Sequence, residues 1–220
     1  MQRLAHFLFI GSAFYCLTGA LGGVSVRDEA LRIQETASRT SYSHQIFIDE
    51  VRGIYALDCS AFASYVLSRV EPKAYQQLAS SAVHPKRPLA RDFASFFKEI
   101  KSENPEWLRV LYIRHLKPGD LIAWLIPPGS TSKDTGHVMI VKERPAQNPR
   151  YPAEWLVPVI DSAVSGHGSR DPRRSSGPNG VGAGTIGLIG DAQGKAVAFR
   201  WAGGESPKIK YTVIRMARIR

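Results

Sequence analysis

Apolar residues recur at helical spacing through the first half of the chain and in short alternating or continuous runs through the second. Ala30, Ile33 and Ala37 mark one stripe within 27–38 and predict an opening helix. From Asp58 onward Phe62, Val66 and Val70 form another, ended or followed by a further helix at Pro72. Phe93, Phe96, Phe97 and Ile100 give a third face after Pro88 and read as core. The segment 40–57 has no clear period and reads as irregular, with a turn at Gly53. After Pro105 the runs 108–113, 120–126, 137–141, 155–160, 185–189, 196–201 and 211–216 read as strands. Helices first and strands afterwards predict an α+β fold, helices packed on an antiparallel sheet. The stretch 162–184, rich in Gly, Ser, Arg and Pro, reads as one long loop.

Residues 1–20 stand apart. Met1-Gln2-Arg3 precedes an apolar run, Leu4 to Leu17, broken by His6 and Ser12 and followed by Thr18, Gly19 and Ala20. This is the pattern of a secretory signal peptide, so periplasmic or secreted residence is expected, with a membrane anchor as the other reading. Phe14 and Tyr15 before Cys16 argue against lipid modification. Residues 21–220 then form a single domain, expected to be monomeric. At 44% hydrophobic and 22% charged residues, the chain has the material for an ordinary core.

Removal of the first segment would leave Cys59 as the single cysteine, so no internal disulfide is possible and the thiol is either buried or used. The formal net charge of +10 favours peripheral attraction to anionic surfaces or serves solubility. No basic cluster interleaved with aromatics points to nucleic acid.

Asp58 is a good helix N-cap, which puts Cys59 in the first helical turn. Unpaired N–H groups and the helix dipole favour a thiolate there, although a lone cysteine also serves as a small buried hydrophobe. His137 opens an apolar strand behind Gly136 and is a candidate base. Asp161 follows Val159-Ile160 in a strand paired with that of His137 and could accept the imidazole Nδ1–H, or act as an Asx cap. No close metal-ligand spacing supports a zinc site from His137, Asp161 and His167, and no metal or other cofactor is expected.

Asp58-Cys59-Ser60-Ala61-Phe62, Leu116-Lys117-Pro118-Gly119-Asp120-Leu121-Ile122 and Gly136-His137-Val138, in that order, resemble the NlpC-type cell-wall cysteine peptidases of the papain-like superfamily. The resemblance spans about Tyr42 to Ser162. It implies a papain-like fold, Cys59 as nucleophile, His137 as base and Asp161 as orienting residue. Tyr42, or failing it Tyr55, would assist the oxyanion, and His167 would contact substrate or replace Asp161. The implied substrate is an amide in peptidoglycan stem peptides or another envelope component. Acyl transfer or amidase action on a non-peptidoglycan substrate and non-catalytic wall binding are the alternatives. Ala61 and Met139 stand where the family carries glycine, and the intervals before His137 and Asp161 are long. The second interval contains Pro145, Pro149 and Pro152.

Overall fold

The computed structural model describes residues 25–174 and 179–220, so the expected signal peptide, with Cys16, lies outside the described residues. Helix α1, Val26–Thr36, starts at Ser25, whose hydroxyl accepts the Asp28 N–H at 3.2 Å, and buries Val26, Ala30 and Ile33. Helix α2, Cys59–Val70, is capped by Asp58 and buried along most of its length. Pro72 is the first residue of α3, Pro72–Ser81, where its missing N–H costs nothing. Helix α4, Ala90–Glu99, buries Phe93 and Phe97, and its Asp92 carboxylate accepts the Leu89 N–H at 2.8 Å.

Between α1 and α2 the structure departs from the irregular segment expected there. Three short strands, β1 (Arg39–Ser41), β2 (Phe47–Asp49) and β3 (Ile54–Ala56), form a small sheet in the order β1-β3-β2. Strands of three residues are too short to show an alternation. Gly53, at φ +66°, makes the expected turn into β3.

The remaining strands are β4 (Trp107–Val110), β5 (Leu121–Leu125), β6 (Gly136–Val141), β7 (Ala146–Gln147), β8 (Glu154–Ala163), β9 (Gly180–Gly190), β10 (Ala196–Gly204), β11 (Lys210–Tyr211) and β12 (Ile214–Ile219). They form an antiparallel nine-stranded sheet in the order β11-β10-β9-β8-β6-β5-β12-β4, with β7 added on β8. The fold is therefore α+β, with four helices among the described residues and one large antiparallel sheet. The expected loop 162–184 is much shorter than the sequence suggests. β8 continues through Ala163 and β9 begins at Gly180, because a glycine-rich strand shows little apolar alternation.

The last strands bend this sheet round on itself. β11 pairs with β10 while β12 pairs with β5, and between them Thr212 N–H reaches Val197 O at 3.3 Å and Leu125 N–H reaches Val213 O at 3.1 Å. One segment thus touches both sides of the sheet and closes a barrel-like wall. Ile122, Trp124, Met139, Val157, Val159, Leu188 and Phe199 fill its interior, with Trp124 stacked on Phe199 at 4.0 Å. The alternate residues Leu121, Ala123, Val138, Ile140 and Ile160 face outward against Ile33, Phe62, Val66, Phe93 and Phe97 of the helices. Period two on the strands and period 3.6 on the helices meet in this outer core.

Gly136, at the start of β6, is where the wall is tightest. A Cβ there would lie 1.8 Å from the carbonyl oxygen of Trp124, so β5 and β6 approach this closely only without a side chain. Replacing Gly136 by Ala is expected to force the two strands apart and cost about 2–4 kcal/mol in urea unfolding. An unchanged midpoint would show that the rim yields freely.

Candidate active site

Asp58 organises the head of α2. Its Oδ1 accepts the Ala61 N–H at 2.8 Å and the Ser60 hydroxyl at 2.9 Å, while Oδ2 takes the Arg87 guanidinium at 2.5 Å and lies 3.1 Å from His44 Nδ1. Burial opposes its ionisation, but the Ala61 N–H, His44, Ser60 and Arg87 together hold it below the usual carboxylate range. Cys59 is the first helical residue, and the N–H groups of Cys59 and Ser60 carry no hydrogen bond among the described residues. The positive end of the helix, with its unpaired N–H groups, thus faces the groove at Cys59.

His137 meets the Cys59 sulfur from the second residue of β6. The imidazole Nε2 lies 2.5 Å from Asp161 Oδ2, and the Cys59 side chain acts on the same ring through its charge and as a hydrogen-bonding neighbour, for which Nδ1 is the nitrogen left. The sequence reading put Nδ1 on Asp161. The structure reverses the two nitrogens because the ring spans two elements: its near nitrogen faces α2 and its far one reaches across to β8. Burial lowers the His137 pKa, but the Cys59 charge and the Asp161 hydrogen bond outweigh it and push the value up to about 9.

Asp161 is fully buried on β8, opposite Gly182 of β9. Its Oδ2 faces a second imidazole, His167 Nε2, at 2.8 Å, and its Oδ1 accepts from Arg173 at 3.0 Å. Arg173 in turn grips Asp171 at 2.7 Å and the carbonyl of Gly180 at 2.8 Å, and Asp171 accepts the His167 N–H at 2.8 Å. Burial opposes a charge on Asp161, yet His167, His137 and Arg173 together hold its carboxyl well below the ordinary range. The neighbouring Ser162 points to the opposite side, where its hydroxyl donates to the Leu57 carbonyl at 2.6 Å. That bond ties β8 to the chain two residues before Cys59.

Cys59 is only 4% exposed, yet it lines an open groove of about 250 Å³ together with Tyr42, His44, Arg87, Lys133 and Asp134. Tyr42 is half-buried beside the sulfur. Burial first, and then the Cys59 and Asp134 charges, raise its pKa above the ordinary tyrosine value, so its hydroxyl remains a donor. Tyr55 does not reach the groove. It is 1% exposed within the outer core, its ring 6.1 Å from that of Tyr65, because alternate residues of β3 face the helices. His167 does not reach it either: it lies behind Asp161, stacked on Trp201 at 5.1 Å and 11°.

Arg173, Arg87 and Asp134 escaped the sequence reading, and His44 received no role in it. Arg173 had a signal in Gly180-Val181-Gly182-Ala183-Gly184. A Cβ at Gly182 would meet the Arg173 side chain at 2.4 Å, and one at Gly184 would meet the His167 carbonyl at 2.6 Å. Alternate glycines on one strand mark the place where another segment lies flat against it.

His137, Asp161 and His167 bring ligand atoms within 4.8 Å of one another, so they are the residues that could hold a metal ion. Their arrangement does not fit one. Both Nε2 atoms address the same carboxylate oxygen, and Arg173 occupies the other with a positive charge a cation would have to approach.

The fold and site thus define an α+β protein in which a helix-borne thiol faces a barrel-borne imidazole and carboxylate. The chain belongs to the same family as an uncharacterized protein of Acanthamoeba polyphaga mimivirus, to which it is 30% identical over 162 residues, 66% of this chain and 68% of that protein. No family model matches the chain, and no solved structure does. No helix among the described residues is long and apolar enough to cross a membrane.

Because the His137 value lies above the ordinary 6.5, the imidazolium adds stability that is fully present below pH 6.5 and lost as pH rises through about 9. The Cys59 charge is the first cause of the rise, so Cys59→Ala is expected to move the imidazole titration, followed by NMR, to lower pH. A titration unmoved in that variant would mean the sulfur and ring do not interact.

Proposed function

We propose that this chain is a papain-like cysteine hydrolase of the NlpC type, acting on an amide or peptide bond through Cys59, His137 and Asp161. One observation carries the reading: on an open groove Cys59 neighbours His137 closely enough to raise its pKa, and the Nε2 of that ring is bonded to a buried Asp161 held in its charged form.

The chemistry follows from those atoms. The Cys59 thiolate adds to the carbonyl carbon, and the electron pair moves onto the carbonyl oxygen. The Cys59 N–H at the helix head and the Tyr42 hydroxyl, from two residues lining the groove, would be the donors to that oxygen. The His137 imidazolium gives its proton to the leaving nitrogen, the C–N bond breaks, and a thioester remains. His137, now neutral, takes a proton from water, which attacks the thioester and releases the acid and the thiol. Asp161 keeps the ring turned with Nδ1 toward sulfur throughout. The same thioester can pass to an acceptor other than water, which is the transferase alternative.

Substrate and location rest on the sequence. The three motifs resemble those of cell-wall peptidases, and residues 1–20 have the pattern of an export signal, so the proposed substrate is a stem peptide of peptidoglycan outside the cytoplasm. The groove agrees in polarity: Arg87, Lys133 and Asp134 line it, which suits a charged peptide better than a lipid chain.

Digestion of purified muropeptides, followed by mass spectrometry, tests the proposal. Cys59→Ala is expected to fold normally and lose about 10⁴-fold or more in rate. Full activity in that variant would exclude the mechanism, and intact muropeptides with the native chain would exclude the substrate.

A further inference from the structure

Two imidazoles address one oxygen in this site, and the proposed mechanism uses only one of them. His137 Nε2 and His167 Nε2 lie 2.5 Å and 2.8 Å from Asp161 Oδ2. An ionised carboxylate only accepts, so both nitrogens must carry hydrogen. The remaining nitrogen of His137 then meets the sulfur, and the remaining nitrogen of His167, Nδ1, is buried without a partner among the described residues. His167 is held by three independent contacts: the Asp161 bond, its backbone N–H on Asp171, and the flat stack on Trp201. Trp201 also meets the His137 ring edge-on at 5.1 Å, so one indole packs against both imidazoles.

We propose that His167 is a positioning residue whose Nε2–H fixes the Asp161 carboxylate as the acceptor for His137, and through it the ring orientation that presents Nδ1 to Cys59. The assignment rests on the hydrolase reading above and extends it by a member that never touches substrate.

The physical case is one of competing demands on a carboxylate out of contact with water. A buried carboxylate with too few donors takes up a proton or turns toward another partner. The groups facing Asp161 and His137 are Cys59 from α2, Tyr42 from the groove wall, and His167, Asp171 and Arg173 from the loop after β8. Arg173 secures Oδ1 but shares its charge with Asp171, which leaves Oδ2 to the two imidazoles. Without the His167 N–H, that oxygen would have His137 as its single donor. Protonation of Asp161 would then compete with its hold on the ring, and the thiolate–imidazolium pair would form less readily.

The experiment compares full-length native chain, His167→Gln and His167→Asn by the rate of Cys59 alkylation with iodoacetamide between pH 4 and 10. Glutamine places an amide N–H near the imidazole Nε2 position, whereas asparagine stops short of it. The acid limb of the rate profile is expected to move up by about one pH unit in His167→Asn, the equivalent of one weakened charge-assisted hydrogen bond, and to return in His167→Gln. Superimposable profiles for all three chains would overturn the inference. So would a uniform loss of rate at every pH, which is the signature of a packing role. Should neither variant fold, imidazole ¹⁵N spectra of the native chain decide: a proton on His167 Nδ1 with a bare Nε2 would refute the assignment. If native Cys59 resists alkylation at every pH, the hydrolase reading itself fails, and the ¹⁵N spectra still test the tautomers separately.

Discussion

A carboxylate removed from water is the constraint around which this molecule is arranged. Asp161 is fully buried, and an unpaired charge in that position would cost several kcal/mol. It is tolerable because its oxygens receive three donors, His137 from β6 and His167 and Arg173 from the loop after β8. Each donor brings a structural obligation. Arg173 demands glycine at 182, the seat of His167 demands glycine at 184, and the loop carrying both must return across β9. Gly182 and Gly184 are thus consequences of how the buried charge of Asp161 is satisfied.

The same strand sets the position of the nucleophile candidate. Alternation along β8 sends Asp161 toward the barrel mouth and Ser162 toward the helices, where it holds the Leu57 carbonyl. Asp58 then caps α2, and Cys59 follows at once. Sulfur and carboxylate are therefore placed by adjacent residues of one strand, with the His137 ring filling the gap between them. The barrel closure through residues 210–219 keeps β5 and β6 in register, and Gly136 lets them approach closely enough for that ring to reach both partners.

Much of this was legible along the chain. The apolar stripes give α1, α2 and α4, with α3 as one of two readings of Pro72, and the N-cap at Asp58 places Cys59 without any tertiary information. His137 and Asp161 could be paired because each sits in an apolar run with an intervening loop, which is what an antiparallel hairpin requires. The orientation of the His137 ring was not legible, because it depends on whether α2 lies on the near or far side of β6. Tyr42 is preferred to Tyr55 through the resemblance alone, because the facing of short strands such as β3, which holds Tyr55, is decided by the packing of α1 and α2. Arg173 was hidden by distance, since nothing in Asp171-Pro172-Arg173 says which carboxylate it will meet. The alternating glycines of β9 are the part of that signal that a sequence does carry.

Ala61 and Met139, where the resembled motif has glycine, show why the departures leave the site untouched. Ala61 spends its N–H on Asp58 and turns its methyl into the outer core, and Met139 lies fully buried inside the barrel. Both positions face packing rather than the groove, so added carbon there is a matter of core volume. Gly136 differs, because its hydrogen faces a backbone carbonyl that cannot move without opening the sheet. Steric tolerance thus separates the glycines of such a motif into those that shape the core and those that bring the reacting groups together. Gly136 is of the second kind, and the carbon added at Ala61 and Met139 is taken up by the core.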